Sequence, residues 1–266
     1  MYKKRVSLVF LGSTGAGPVY SLEMAKALAE SHRCELQVIV SSSSKNIINW
    51  KECFDNNKNV DFHIVDTYKH TILGVLKTKL FDLKKKQNIV DLILNFESDV
   101  LYVPFGLIWA SYIYKCINKQ VEILSTIHDP HPHESFFWGF KWFIFDNFVG
   151  NESINNVNRI IILNKKDVEY VKNKFHKPVT VIPHASFNYY VKALNENSTL
   201  KYTIGFIGRI EHYKGLDILI DAFEKISRND LKLIVAGCGS IDRFTADKIA
   251  ANNNITVINR YIKDEE

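Results

Sequence analysis

The feature that most constrains the fold is an alternation of short apolar runs with helical patterns along nearly the whole chain. Runs rich in valine, isoleucine and leucine, separated by helical segments, are typical of a parallel sheet whose two faces are covered by helices. The sequence therefore predicts an α/β fold. The predicted strands are 6–11, 36–40, 60–65, 100–104, 121–127, 159–163, 179–183, 202–207, 231–236 and 255–258.

A loss of periodicity divides the chain in two. Residues 186–200 read SFNYYVKALNENSTL and end in polar turn formers, so we predict an inter-domain linker there. A Rossmann-like domain is expected over 1–185 and a second one over 201–266. The second has three predicted strands, about half of a doubly wound domain, and is therefore expected to be incomplete.

Composition limits the choice of partner and compartment. The net charge of +5 suits anionic ligands or an anionic membrane surface and does not call for a nucleic acid. The four cysteines form no C-x-x-C pair, which indicates reduced thiols in a cytoplasmic protein. No apolar run reaches the length of a bilayer span, and the run after the first basic residues is too short for a signal peptide.

Two cations occupy the turn between the strand at 202–207 and the helical stripe of 216–226. Arg209 and Lys214 are flanked by Gly208 and Gly215. In open parallel sheets, ligands bind beyond the carboxyl ends of strands, where a helix N-terminus favours anions. A guanidinium fork and an ammonium group at that place predict a diphosphate site. The alternative is two solvated side chains in a surface loop.

This block carries a family resemblance. G-R-x(4)-K-G, followed by L-x-x-L-I-x-A-F and then by LKLIVAGCG, resembles the donor half of the retaining glycosyltransferases of family four. These enzymes have two Rossmann-like domains in the GT-B arrangement. The resemblance implies that Arg209 and Lys214 bind the diphosphate of a nucleotide-sugar and stabilise the leaving group. It also implies that Gly208, Gly237 and Gly239 bind the donor.

The resemblance extends upstream with weaker motifs. STIHD at 125–129 is similar to a strand end whose histidine contacts the donor sugar, which assigns a catalytic role to His128. IIILNKKDVEYV and VTVIPHA look like the last helix and strand of the acceptor domain. The family also carries two glutamates eight positions apart, and the sequence ends at Glu266 before that stretch would arrive. We therefore expect a C-terminally truncated enzyme.

Two further loops contain residues that the motifs leave open. The turn GSTGAGP lacks both G-x-G-x-x-G and G-K-[ST], so Gly12 and Gly15 either form a floor for the donor phosphates or only make a tight turn. His131 and His133 either line the acceptor side or are ordinary loop residues. Two prolines in HDPHPHE argue against zinc, and the chain has no Asp-x-Asp triplet, so no metal or cofactor is expected.

Two segments raise the question of a membrane surface. Residues 135–150, SFFWGFKWFIFDNFVG, would place apolar side chains on all sides of a helix and not in one stripe. This pattern fits either burial or an interfacial anchor. A basic run fits either a membrane-facing helix or a solvated one. This run consists of Lys77, Lys79, Lys84, Lys85 and Lys86.

The predicted function is hexosyl transfer from a nucleotide-sugar to a saccharide or lipid-linked acceptor, in polysaccharide or glycoconjugate synthesis. A cytoplasmic enzyme, peripheral at the membrane, fits this function. Two alternatives stay open. One is a nucleotide-sugar 2-epimerase of similar architecture, and the other is a non-catalytic fragment that binds an acceptor or a partner subunit.

Overall fold

The computed structural model describes residues 3–67, 82–131, 151–184, 202–226, 228 and 230–262. The chain divides into two compact units, Met1–Ala185 and Ser186–Glu266, and each is described by itself. The predicted linker at 186–200 lies outside the described residues.

The first unit alternates strands and helices, and all seven of its strands join one parallel sheet in the order β3-β2-β1-β4-β5-β6-β7. The elements are β1 (Lys4–Phe10), α1 (Gly17–Ser31), β2 (Cys34–Ser41), α2 (Ile47–Phe54), β3 (Val60–Val65), α3 (Leu83–Asn95), β4 (Val100–Val103), α4 (Ala110–Ile117), β5 (Glu122–Ile127), α5 (Asn151–Ile154), β6 (Arg159–Ile162), α6 (Val168–Phe175) and β7 (Val179–Val181). The seven predicted strands are confirmed with small shifts at their ends. The helices α2, α4 and α5 are additional.

Two apolar cores lie on opposite faces of this sheet. Leu8 and Phe10 of β1 pack into one core, whereas Val9 and the following Leu11 pack into the other. Successive side chains of a strand point to opposite faces, so a strand covered on both sides is apolar at nearly every position. This requirement explains why the strands read as nearly continuous apolar runs rather than as alternating ones.

The second unit is a three-stranded parallel sheet in the order β10-β9-β8 with two helices. Its elements are β8 (Tyr202–Ile207), α7 (Leu216–Glu224), β9 (Leu231–Gly237), α8 (Arg243–Ala251) and β10 (Ile255–Asn259). Ile220 of α7 and Leu233 and Val235 of β9 are fully buried in its core. Asp242 caps α8 by accepting a hydrogen bond from the Thr245 amide, at 3.0 Å. Ile226, predicted as part of the apolar stripe, lies beyond the end of α7 and is 42% exposed.

The basic run does not form one exposed face. Lys84 is exposed, but Lys86 is buried in α3, with its ammonium 5.8 Å from the centroid of the Tyr112 ring. Burial lowers the pKa of Lys86. Lys77, Lys79 and the aromatic stretch 135–150 lie outside the described residues. Within the described ranges, no helix combines the length and the apolar character needed to cross a bilayer.

Candidate functional site

Arg209 lies in the loop between β8 and α7, where the main chain holds it on both sides. The Gly208 amide donates to the Ala236 carbonyl at 3.0 Å, and the Ile210 amide donates to the Cys238 carbonyl at 3.1 Å. The Arg209 side chain is exposed, and within the described residues it makes neither a hydrogen bond nor an ion pair. A guanidinium group on a fixed backbone is therefore available to an external anion.

Lys214 lies at the end of the same loop, immediately before α7. It closes a short 3-10 turn, His212–Lys214, and its ammonium lies 5.1 Å from the centroid of the Tyr213 ring. The next residue, Gly215, is the N-cap of α7 with φ 69°, and no side chain of the described ranges caps the helix. The first amides of α7 therefore lack a capping partner, and the positive end of its dipole lies next to Lys214.

The glycines of the second unit serve different purposes. A Cβ atom on Gly237 would lie 1.6 Å from the Gly208 carbonyl oxygen, and one on Gly239 would lie 2.0 Å from the Ile210 oxygen. Close packing between the two loops therefore requires glycine at 237 and 239. At Gly208 the reason is different, since its φ is +138° and no atom of the described residues lies within 4 Å of the position of a Cβ. This stretch of backbone is open to a ligand.

The predicted residues of the first unit lie at the carboxyl edge of its sheet. The strand order reverses between β1 and β4, and in open α/β sheets ligands bind outside such a point. Gly12 follows β1, and its missing side chain leaves room for the Phe10 ring, which would lie 2.7 Å from a Cβ. Gly15 has φ +80°, and in the part of the chain that the structure describes no atom lies within 4 Å of its Cβ position. The turn therefore presents open backbone at Gly15.

His128 follows β5 at the same edge. Its Nε2 lies 2.9 Å from the Pro104 carbonyl oxygen. Because a carbonyl only accepts, Nε2 carries the hydrogen, and Nδ1 of the neutral ring is left as an acceptor. Burial is the main cause that lowers the pKa of His128; the hydrogen bond to Pro104 opposes this, and the nearby His184 adds to it. The imidazole is therefore neutral at pH 7.

Aromatic rings fix the orientation of His128, and no motif in the sequence indicates these contacts. The Tyr20 ring of α1 contacts His128 edge-on with centroids 4.5 Å apart, and the Phe105 ring lies at 4.3 Å. Tyr20 also contacts His184, at 5.4 Å. In the sequence, nothing distinguishes Tyr20 from the other apolar residues of α1. Its contact with His128 arises only because the strand order brings α1 and the end of β5 together.

His131 is engaged with α6 and the turn before it. Its Nε2 lies 3.0 Å from Oδ1 of Asp167, and its ring stacks on Tyr170 with centroids 4.4 Å apart. These contacts fix the position of the His131 ring, and its place on the acceptor side stays a prediction. His133 lies outside the described residues.

The carboxy-terminal part of the sequence matches a family model. Residues 191–261 match the model described as "Glycosyl transferases group 1". This segment includes Arg209, Lys214 and the glycines of the second unit. A comparison with curated protein sequences finds no significant match.

Solved structures show the fold of the chain. It is similar to a glycosyltransferase from Rickettsia africae, at a TM-score of 0.63 and 14% identity, over 99% of this chain and 70% of that one. It is also similar to HepE from Anabaena, solved with UDP and glucose. That TM-score is 0.60 and the identity 12%, over 98% of this chain and 70% of that one. A third similar structure is a putative UDP-N-acetylglucosamine 2-epimerase from Listeria monocytogenes. Its TM-score is 0.58 and its identity 13%, over 100% of this chain and 71% of that one. The chain thus has the Rossmann-like architecture of GT-B glycosyltransferases, as predicted.

The packing of Gly237 generates a first prediction. Gly237→Ala is expected to destabilise the second unit by about 3 kcal/mol, because the new methyl group overlaps the Gly208 carbonyl. Gly205→Ala is the matched control, since its Cβ position has no atom within 4 Å, and it is expected to stay within about 0.5 kcal/mol of the wild type. Hydrogen exchange of the amides of β8 and β9 measures both changes. Equal protection in the two variants would contradict this packing.

The surroundings of His128 generate a second prediction. In an NMR titration, His128 is expected to titrate below the ordinary histidine value of about 6.5, because burial disfavours its charged form. At that pH the neutral form of the ring therefore still predominates, and half-protonation is reached only at a lower pH. The nitrogen shifts of the neutral form are expected to place the hydrogen on Nε2. A pKa above about 6.5, or a hydrogen on Nδ1, would contradict the geometry.

Proposed function

We propose that this chain, which has the GT-B fold and matches the glycosyl transferases group 1 model over residues 191–261, transfers a sugar from a nucleotide-sugar with retention of configuration. The proposed acceptor is a saccharide or a lipid-linked saccharide, in polysaccharide or glycoconjugate synthesis. The sugar is proposed to be a hexose. HepE was solved with UDP and glucose, so UDP-glucose is the first donor to test.

The observation that carries the proposal is the setting of Arg209. Its backbone is fixed by two main-chain hydrogen bonds, its guanidinium has no partner among the described residues, and Lys214 and the N-terminus of α7 belong to the same loop. When a nucleotide diphosphate departs, negative charge develops on its β-phosphate oxygens. Positive groups fixed in advance stabilise this charge more in the transition state than in the ground state.

The other residues receive roles that follow from their surroundings. Gly208 gives the diphosphate access to the backbone, and Gly237 and Gly239 support this loop from behind. In the first unit, Nδ1 of His128 accepts a hydrogen bond from a hydroxyl group of the donor sugar, and Gly12 and Gly15 form a floor for the phosphates. Arg209 and Lys214 supply the positive charge, so we propose a reaction without a metal or other cofactor.

A substitution of Lys214 tests the proposal. Lys214→Ala is expected to lower the turnover of UDP-glucose by about 100- to 1000-fold, the usual loss when one group that stabilises a developing anion is removed. The fold should be unaffected, because this side chain is exposed and contacts only the Tyr213 ring among the described residues. Release of UDP measures the turnover, and circular dichroism checks the fold.

The control is Lys232→Ala, which removes an exposed lysine from β9 and should leave turnover unchanged. Wild-type turnover in Lys214→Ala would contradict the assignment of the diphosphate site. Conversion of UDP-N-acetylglucosamine to its 2-epimer without an acceptor would assign the epimerase reaction instead. A wild-type chain that binds no nucleoside diphosphate in calorimetry would favour the non-catalytic alternative.

We also propose that the enzyme works in the cytoplasm, attached peripherally to an anionic membrane. The support is the exposed pair Leu83 and Lys84 at the start of α3, which follows the basic residues Lys77 and Lys79 in sequence. Sedimentation with phosphatidylglycerol vesicles should be reduced by salt and by Lys84→Ala, whereas Lys232→Ala should have no effect. Absence of binding, or binding that salt does not change, would contradict this attachment.

A further inference from the structure

Two loops of the second unit and the last residue of β10 are joined at the carboxyl ends of the strands. The loop after β8 pairs with the end of β9 through the Gly208 amide, which donates to the Ala236 carbonyl, and with the loop after β9 through the Ile210 amide and a parallel bridge between Ile210 and Gly239. The last residue of β10, Asn259, forms the last pair with β9, opposite Gly237. The side chain of Asn259 then extends the pairing past this point.

Asn259 binds both polar groups of a single peptide residue. The Gly239 amide donates to Oδ1 of Asn259 at 3.1 Å, and Nδ2 of Asn259 donates to the Gly239 carbonyl at 3.0 Å. A carboxamide carries a donor and an acceptor side by side, so it replaces the peptide group that a longer β10 would supply. Gly239 is therefore held from one side by Asn259 and from the other by Ile210.

The hold of Asn259 on Gly239 also affects Ile210, because there is no free space between Gly239 and Ile210. A Cβ there would lie 2.0 Å from the Ile210 oxygen and 2.7 Å from its carbonyl carbon. A shift of Gly239 towards Ile210 therefore displaces that residue, which follows Arg209 directly. Asn259 is 20 positions from Gly239 in the sequence, and no family motif quoted above includes it.

We propose that Asn259 is a positioning residue for the diphosphate site, which it supports through Gly239 and Ile210 without touching the ligand. This inference rests on the proposed function, since it assumes that Arg209 binds a diphosphate. Its specific consequence is that the effect of Asn259 on binding depends on the presence of the Arg209 guanidinium.

A double-mutant cycle measured by calorimetry with UDP and with inorganic pyrophosphate tests the inference. Asn259→Ala is expected to weaken both affinities about tenfold, which corresponds to about 1.4 kcal/mol. In an Arg209→Ala background the same substitution should have no further effect, because the group that it positions is gone. The control is Asn253→Ala, which removes an exposed asparagine at the other end of β10 and should leave both affinities unchanged.

Hydrogen exchange reports on the loop without any ligand. In Asn259→Ala the amides of Gly239 and Ile210 should exchange faster than in Asn253→Ala, while the amides within β8 should keep their protection. Unchanged affinity, unchanged exchange at Ile210, or equal losses with and without Arg209 would each overturn the inference. If the wild type binds neither probe, the proposed function fails, and the exchange of Ile210 still decides whether Asn259 holds the loop.

Discussion

Parallel pairing of the strands is the constraint on which the candidate sites depend. Because every strand of each sheet runs in the same direction, all strand-to-helix loops of a unit emerge at one edge. Gly12 and His128 follow two strands of the first sheet, and Arg209 and Gly239 follow two strands of the second. Residues that are far apart in sequence thus share an edge without any long-range signal of their own. The chemistry of each edge then depends on how its loops are fixed.

In the second unit, the positions of the loops depend on glycines. Gly237 and Gly239 would be interpreted from the motif as residues that make room for a nucleotide, yet each is already required by the carbonyl of a neighbouring loop. Gly208 differs, since none of the described residues lies near its Cβ position and its backbone conformation is one that residues with side chains rarely adopt. One motif therefore contains two glycines that allow the loops to pack closely and one glycine that leaves the backbone open. The sequence does not distinguish these two kinds of glycine, whereas the three-dimensional structure does.

The sequence predicted what depends on local pattern and missed what depends on strand order. The buried strands were found because burial on both faces leaves almost no polar position, as in β4 and β6. The short α2 and α4 were not, because eight residues hold too few turns to show a clear helical period, and no family resemblance covers them as it covers the equally short α6. The cations of the loop before α7 could be predicted from their spacing. The contacts of Tyr20 with His128 and of Asn259 with Gly239 could not, because the strand order creates both.

The charges of the second unit separate structural cations from the candidate binding group. Arg228 is paired with Asp230 at 2.7 Å and lies over the Tyr202 ring, and Lys248 contacts the carboxylates of Asp221 and Glu224. Such exposed pairs contribute only about 0–1 kcal/mol, so stability alone gives little reason to pair Arg209 as well. A carboxylate beside Arg209 would instead compete with a phosphate for the guanidinium. An exposed arginine without a partner is ordinary. Arg209, however, lies on a loop that main-chain hydrogen bonds hold on both sides, so its positive charge stays at a defined place. A departing diphosphate requires a positive charge placed in this way.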